Sequence, residues 1–304
     1  MLTRVGVAVA SAFLWAVLST PAAAQTGAAT IDERVGQVRP PTERALEADE
    51  AILTGREDLV LLRRADLFTL RAGSAYRYTT NAFLSDNDRK DDHILSPSAS
   101  FGIGTRIDQR FDVFADISVF ASRYEENTEL DFDAFSGRIG GEMPAGPWRL
   151  GLTYSGTPVY TSGFEDHQVT LHDISLQARR SLALGEKTVL LPSVTATRVF
   201  GDPNDFSTVG GRVQALVAHK VSDEVTGFLG GNGYGRRYDD FFESRTDETR
   251  YDYGVSGQAI VSWRPAAWID FTSIVSVTQN FSTVDENEYF SFDVSPSMNL
   301  TVRF

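Results

Sequence analysis

Apolar residues recur at every second position over runs of 12 to 15 residues, roughly twice the usual length of a globular strand. The last run is the cleanest. Phe290, Phe292, Val294, Pro296, Met298, Leu300, Val302 and Phe304 fall on one face, and Ser291, Asp293, Ser295, Ser297, Asn299, Thr301 and Arg303 on the other. Tyr251, Tyr253, Val255, Gly257, Ala259, Val261 and Trp263 repeat the pattern, as do Phe111, Val113, Ala115, Ile117, Val119 and Ala121. A tilted strand of this length reaches across a bilayer. After residue 24 no stretch has the continuous apolar run of a membrane helix, so any crossing of a membrane must be made by strands.

The first 24 residues read as a secretory signal. Met1 to Arg4 is a short positive segment, Val5 to Leu18 an apolar one, and Thr20-Pro21 breaks it before Ala22-Ala23-Ala24 and Gln25. There are no cysteines, so an exported form has no disulfide framework. The formal charge of −13 becomes −14 once Arg4 leaves with the signal, which argues against a nucleic-acid partner. Residues 25–66 lack the alternation of the rest of the chain: Pro40-Pro41 precedes a helix N-cap at Thr42, and Glu43 to Leu53 reads as one short helix closed by Gly55. This segment is either a periplasmic tail or a plug in the body of residues 67–304.

Punctuation divides 67–304 into about twelve strands, near 67–79, 94–106, 111–124, 132–142, 148–160, 168–180, 187–199, 206–219, 225–236, 249–263, 268–280 and 289–304. The sixth and seventh are the least regular, with Val169 and Leu171 out of phase with Ile174 and Leu176, and ten or fourteen strands stay open. Short turns alternate with longer loops around 80–93, 125–131, 161–167, 200–205, 237–248 and 281–288. That alternation predicts an all-β fold, a transmembrane antiparallel up-and-down barrel in a bacterial outer membrane. The aromatics agree: tyrosines, including Tyr76, Tyr78, Tyr124, Tyr154, Tyr251, Tyr253 and Tyr289, gather at the long-loop ends. Trp148, Trp263 and Trp268 flank short turns, so two interfacial girdles are expected.

The chain's end resembles the recognition signal of outer-membrane barrels, with Met298, Leu300, Val302 and Phe304 as its alternating apolar residues. Asn299 stands where that signal usually has a small residue. The resemblance implies handling by the barrel assembly machinery. The opening strand, Ala75-Tyr76-Arg77-Tyr78 followed by Thr80-Asn81-Ala82-Phe83, is similar to members of the β-barrel porin 2 family. Members of that family often sit near exopolysaccharide genes, which implies a link to saccharides.

In-register strands would point Arg71, Arg77, Arg106, Arg149, Arg179, Arg212 and Arg250 inward, beside Asp112, Asp116, Asp252, Asp270 and Asp293. Such a face is either a water-filled pore or a salt-bridged closed core. Guanidinium groups favour anionic or hydroxyl-rich solutes, and the interleaved aspartates oppose strong anion selectivity. The main expectation is therefore a passive channel for small hydrophilic solutes such as saccharides. The alternatives are a closed accessory barrel in exopolysaccharide export and an outer-rim hydrolase.

Carboxylates crowd the long loops (Asp86, Asp88, Asp91, Asp92, then Glu125, Glu126, Glu129, Asp131, and others). They suit solvation, or cation bridging to lipopolysaccharide. His93, His167, His172 and His219 are the only histidines. His172 and Ser175 fall on opposite strand faces, and Asp166-His167 has no recognisable company, so no catalytic set, metal site or cofactor is expected. Gly227, Gly230, Gly231, Gly233 and Gly235 crowd one strand without the helix of a phosphate loop, and suit close packing or a kink.

Overall fold

The structure is a computed structural model, described over residues 68–86, 89–107, 110–239 and 249–304. The expected signal (1–24) and N-terminal segment (25–66) lie outside the described residues.

The strands are β1 (Phe68–Thr79), β2 (Asp92–Ile107), β3 (Phe111–Tyr124), β4 (Phe132–Ala145), β5 (Trp148–Thr161), β6 (His167–Arg179) and β7 (Leu182–Gly185). There follow β8 (Thr188–Asp202), β9 (Thr208–Lys220), β10 (Val225–Tyr238), β11 (Tyr251–Ala266), β12 (Ile269–Ser282) and β13 (Tyr289–Arg303). Each pairs antiparallel with its neighbour, and β1 also pairs with β13, so the sheet closes on itself. Closure removes the unpaired edges that a bilayer cannot solvate. β6 and β7 form one stave: Arg179 faces Ser193, Leu182 faces Leu190, and the Arg180 N–H still reaches Pro192 O between them. The barrel thus has twelve staves.

Alternation along each strand separates the two faces. Ile117, Val213, Leu229 and Val255 look outward and are 57–65% exposed, as a soluble protein would not tolerate around its whole girth. An apolar belt of this kind is the surface that membrane-spanning barrels turn to the bilayer. Val169 and Leu171 break phase because they point inward. There they pack with Phe120, Phe132, Ala134, Val159, Val199 and Phe206 in a buried cluster on the wall of β3–β8, while Ile174 and Leu176 stay outside.

The seam also accounts for Asn299. It faces Gly73 of β1, where a Cβ would overlap the Asn299 side chain, so the small residue sits on the partner strand instead. At the tight turn after β4, Gly146 has φ +62°, a conformation that favours glycine.

The long connectors carry one-turn 3-10 helices at Thr128–Leu130, Ser162–Phe164, Asn204–Phe206 and Asp285–Asn287. Asp92 ties the β3 connector down: its carboxylate accepts from the Glu125 and Glu126 N–H groups at 3.0 and 3.2 Å. It also accepts from Asn127 N and Nδ2 at 2.9 and 2.7 Å. Asp131 accepts from the Tyr124 N–H at 2.7 Å. Asp92, the first residue of β2, and the loop acid Asp131 thus hold backbone, whereas Glu125, Glu126 and Glu129 face solvent.

Asp239, just beyond β10, is held by Arg198 of β8, which donates a hydrogen bond to its carboxylate. That bond, with help from Arg237, keeps the Asp239 carboxyl below the usual aspartate range despite some burial. A lowered pKa contributes stability above the ordinary value of about 3.9 and loses it as pH falls through the folded value. Wild type should therefore melt above Asp239→Asn at neutral pH. The gap should close in acid, as read from melting curves across pH.

Candidate functional site

The inward face is set by register, because residues directly opposite across antiparallel strands share a face. Arg106 faces Asp112, Asp116 faces Arg138, Arg149 faces Arg179, Arg212 faces Thr195, and Asp252 faces Arg236. Arg71 lies between Ser100 and Thr301, Arg77 opposite Ile94, Asp270 opposite Asn299, and Asp293 opposite Ser276. All eleven lie on the inward face. Arg250 precedes β11 and is 2% exposed, turned onto Asp252.

Most of these charges are gathered into four ion-pair networks. Near the short turns, Asp112 accepts from Arg106 Nε at 2.7 Å and from Arg149 Nη2 at 2.6 Å. Glu142 accepts from Arg179 Nη2 at 2.8 Å and lies 3.4 Å from Arg149 Nε. The chain Arg106–Asp112–Arg149–Glu142–Arg179 spans β2 to β6. Beside it, Arg138 pairs with Asp116 at 2.7 Å. Toward the long loops, Asp252 holds Arg250 through two bonds of 2.6 and 2.8 Å. It also accepts from Ser282 at 2.7 Å, Tyr238 at 3.2 Å and Arg236 at 3.3 Å. Asp270 is satisfied by Ser262 and Thr272 at 2.9 and 2.7 Å, with Arg264 at 3.6 Å.

Arg138, Glu142, Arg236 and Arg264 were not among the expected lumen residues. Parity alone places them inward, counting from Ile139, Leu229 or Trp263 on the outer face. Between the networks the wall is hydroxyl and amide. Ser100, Ser118, Ser175, Thr195, Gln214, Asn232, Ser256 and Thr278 are each partly exposed, while Ser136 and Thr157 are buried and share a 3.0 Å hydrogen bond.

The outer face carries Tyr76, Tyr78, Tyr154, Tyr251 and Tyr253 at the long-loop end. Trp148, Trp263 and Trp268 lie by the short turns. Tyr124 and Tyr289 correct the expected girdle. Each is 3% exposed and turned inward, because Tyr124 has the opposite parity to Phe111 and Val113, and Tyr289 the opposite parity to Phe290 and Phe304.

Two of the four histidines sit in the outer collar. His93 shares a 2.7 Å hydrogen bond with Tyr76 and His172 one of 2.8 Å with Tyr154, rings stacked in both pairs. Ser175 points inward onto Asp173 at 2.6 Å, so it cannot meet His172. His167 shares a 2.8 Å bond with Thr170 at the loop edge. Phe304, 63% exposed, closes the seam: the Phe68 N–H reaches Phe304 O at 3.0 Å, and the Phe304 N–H returns to Phe68 O at 3.1 Å.

A closed ring of long staves, apolar outside and polar inside, belongs to one class: the protein is a bacterial outer-membrane β-barrel. No protein-family model and no curated protein sequence matches the chain. Solved outer-membrane barrels do. An outer-membrane channel from Pseudomonas putida aligns at 11% identity and TM-score 0.50, covering 78% of this chain and 96% of that one. The KdgM porin in complex with disordered oligogalacturonate aligns at 6% identity and TM-score 0.39, covering 76% and 98%. LpxR from Salmonella typhimurium aligns at 10% identity and TM-score 0.44, covering 75% and 99%. At these identities the likeness is one of fold.

Proposed function

We propose that this barrel is a passive, porin-like channel for small hydrophilic solutes, saccharides among them. The observation that carries the reading is the mid-lumen wall. Ser100, Ser118, Thr195, Gln214, Asn232 and Ser256 come from six different strands, look inward and stay accessible to water. Hydroxyls and amides both donate and accept, so a sugar can exchange its bonds to water for bonds to the wall at little net cost. Most of the inward charge is internally neutralised by the ion-pair networks, which supports weak rather than strong ion selectivity. In planar bilayers the purified protein should give discrete conductance steps with a modest preference between small cations and anions. An absence of steps would sink this reading.

The second reading is a closed accessory barrel for exopolysaccharide export. The buried cluster around Phe120, Val159 and Leu171 favours it by filling part of one lumen wall with apolar bulk. Neither reading includes catalysis, and the separation of His172 from Ser175 supports leaving it out. The same proposal places outer-membrane lipid and lipopolysaccharide against the outer belt, with β13 read by the barrel assembly machinery during insertion.

A further inference from the structure

Among the described residues, the inward arginines in the ion-pair networks are all answered by carboxylates: Asp112, Asp116, Glu142, Asp252 or Asp270. Arg212 differs. It lies mid-strand in β9 on the inward face, is exposed, and makes no ion pair among the described residues. A guanidinium left uncompensated in a narrow polar channel is a fixed positive site offering planar, paired donors.

Its surroundings add what a bare cation lacks. Tyr234 is its cross-strand partner on β10, with the ring centre 5.9 Å from the guanidinium carbon. The ring is fixed against the wall: it lies over Gly254, where a Cβ would approach Tyr234 Cζ to 2.6 Å, and its hydroxyl donates to Asn280 Oδ1 at 2.7 Å. Two residues along, Gln214 and Asn232 face each other on the same side, and Asn232 Nδ2 is held by Ser256 Oγ at 2.5 Å. A guanidinium without a carboxylate, an immobilised aromatic face and adjacent amides therefore share one patch of wall.

We propose that Arg212 and Tyr234 form an intraluminal binding subsite for the carboxylate of an acidic sugar. The carboxylate takes the paired N–H donors of Arg212. The C–H face of the ring lies on Tyr234, and its hydroxyls reach Gln214 and Asn232. This inference rests on the channel reading but is tested apart from it. Glucuronate and glucose are the probes, and binding to the full barrel in detergent is followed by saturation-transfer NMR for wild type, Arg212→Lys and Arg212→Gln. Folding of each is checked by the heat-dependent gel shift. Glucuronate should bind wild type more tightly than glucose. Arg212→Gln should weaken it about tenfold, the loss of one charge-assisted hydrogen bond, and Arg212→Lys should recover part. Equal binding of glucuronate to wild type and Arg212→Gln, or none to wild type, overturns the subsite. In bilayers, glucuronate should interrupt the wild-type current and not that of Arg212→Gln. A barrel that binds glucuronate through Arg212 yet shows no steps would refute the channel and leave the subsite standing.

Discussion

Replacing Asp252 with alanine is expected to remove about 3–5 kcal/mol of barrel stability, the cost of breaking a buried ion pair by deleting one partner. The Asp252 side chain has no solvent exposure and that of Arg250 has 2%. Asp252, on β11, collects Arg236 and Tyr238 from β10, Ser282 from β12 and Arg250 from the approach to its own strand, so one carboxylate sets the spacing of β10, β11 and β12 toward the long loops. Without it two guanidiniums lose their shared acceptor in a low-dielectric place. Asp252→Asn should cost less, since its single amide oxygen still accepts from one of the two hydroxyl donors, Ser282 at one carboxylate position or Tyr238 at the other. Urea titration of the barrel in lipid vesicles measures both. A loss below about 1 kcal/mol for Asp252→Ala would mean that the network contributes little more than a surface pair.

The second large effect comes from one residue of β9. Val213→Lys should destabilise by about 2–4 kcal/mol, as a cation near the bilayer midplane does, whereas Gln214→Lys should be near neutral. Val213 is outward and 61% exposed, one residue before the middle of a 13-residue strand, and Gln214 faces the lumen opposite Asn232. The two substitutions introduce the same charge one residue apart, so only the facing differs. Equal costs would contradict the assignment of faces. Lipid vesicles are essential to this measurement, because detergent alone lets a lysine reach water.

Strand number and facing were legible because a barrel obeys a rule of period two. Once Phe304 or Phe111 is assigned to the outside, every other residue of its strand follows by counting. The same rule would have placed Tyr124 and Tyr289 inward. Weighing the tyrosines by position along the strand, without parity, put both on the wrong face. Val169 and Leu171 misled in the other direction, since apolar residues at inward positions look like a phase error until Phe120, Val159 and Phe206 are seen beside them.

What the sequence alone determined is local: where strands run, which side chains share a face, where turns interrupt, and that membrane-spanning segments must be strands. These follow from backbone geometry and residue hydropathy, which act over a few positions. The tertiary structure decided the partners. Arg149 meets Asp112 and Arg179 meets Glu142 across a strand lying between them, which only the curvature of the wall allows. Gly73 meets Asn299 because the first and last strands close the ring. Arg212 stands apart from the networks because strand register sets Thr195 and Tyr234 beside it in place of a carboxylate. No spacing in the sequence encodes that, since it depends on the register of every strand at once.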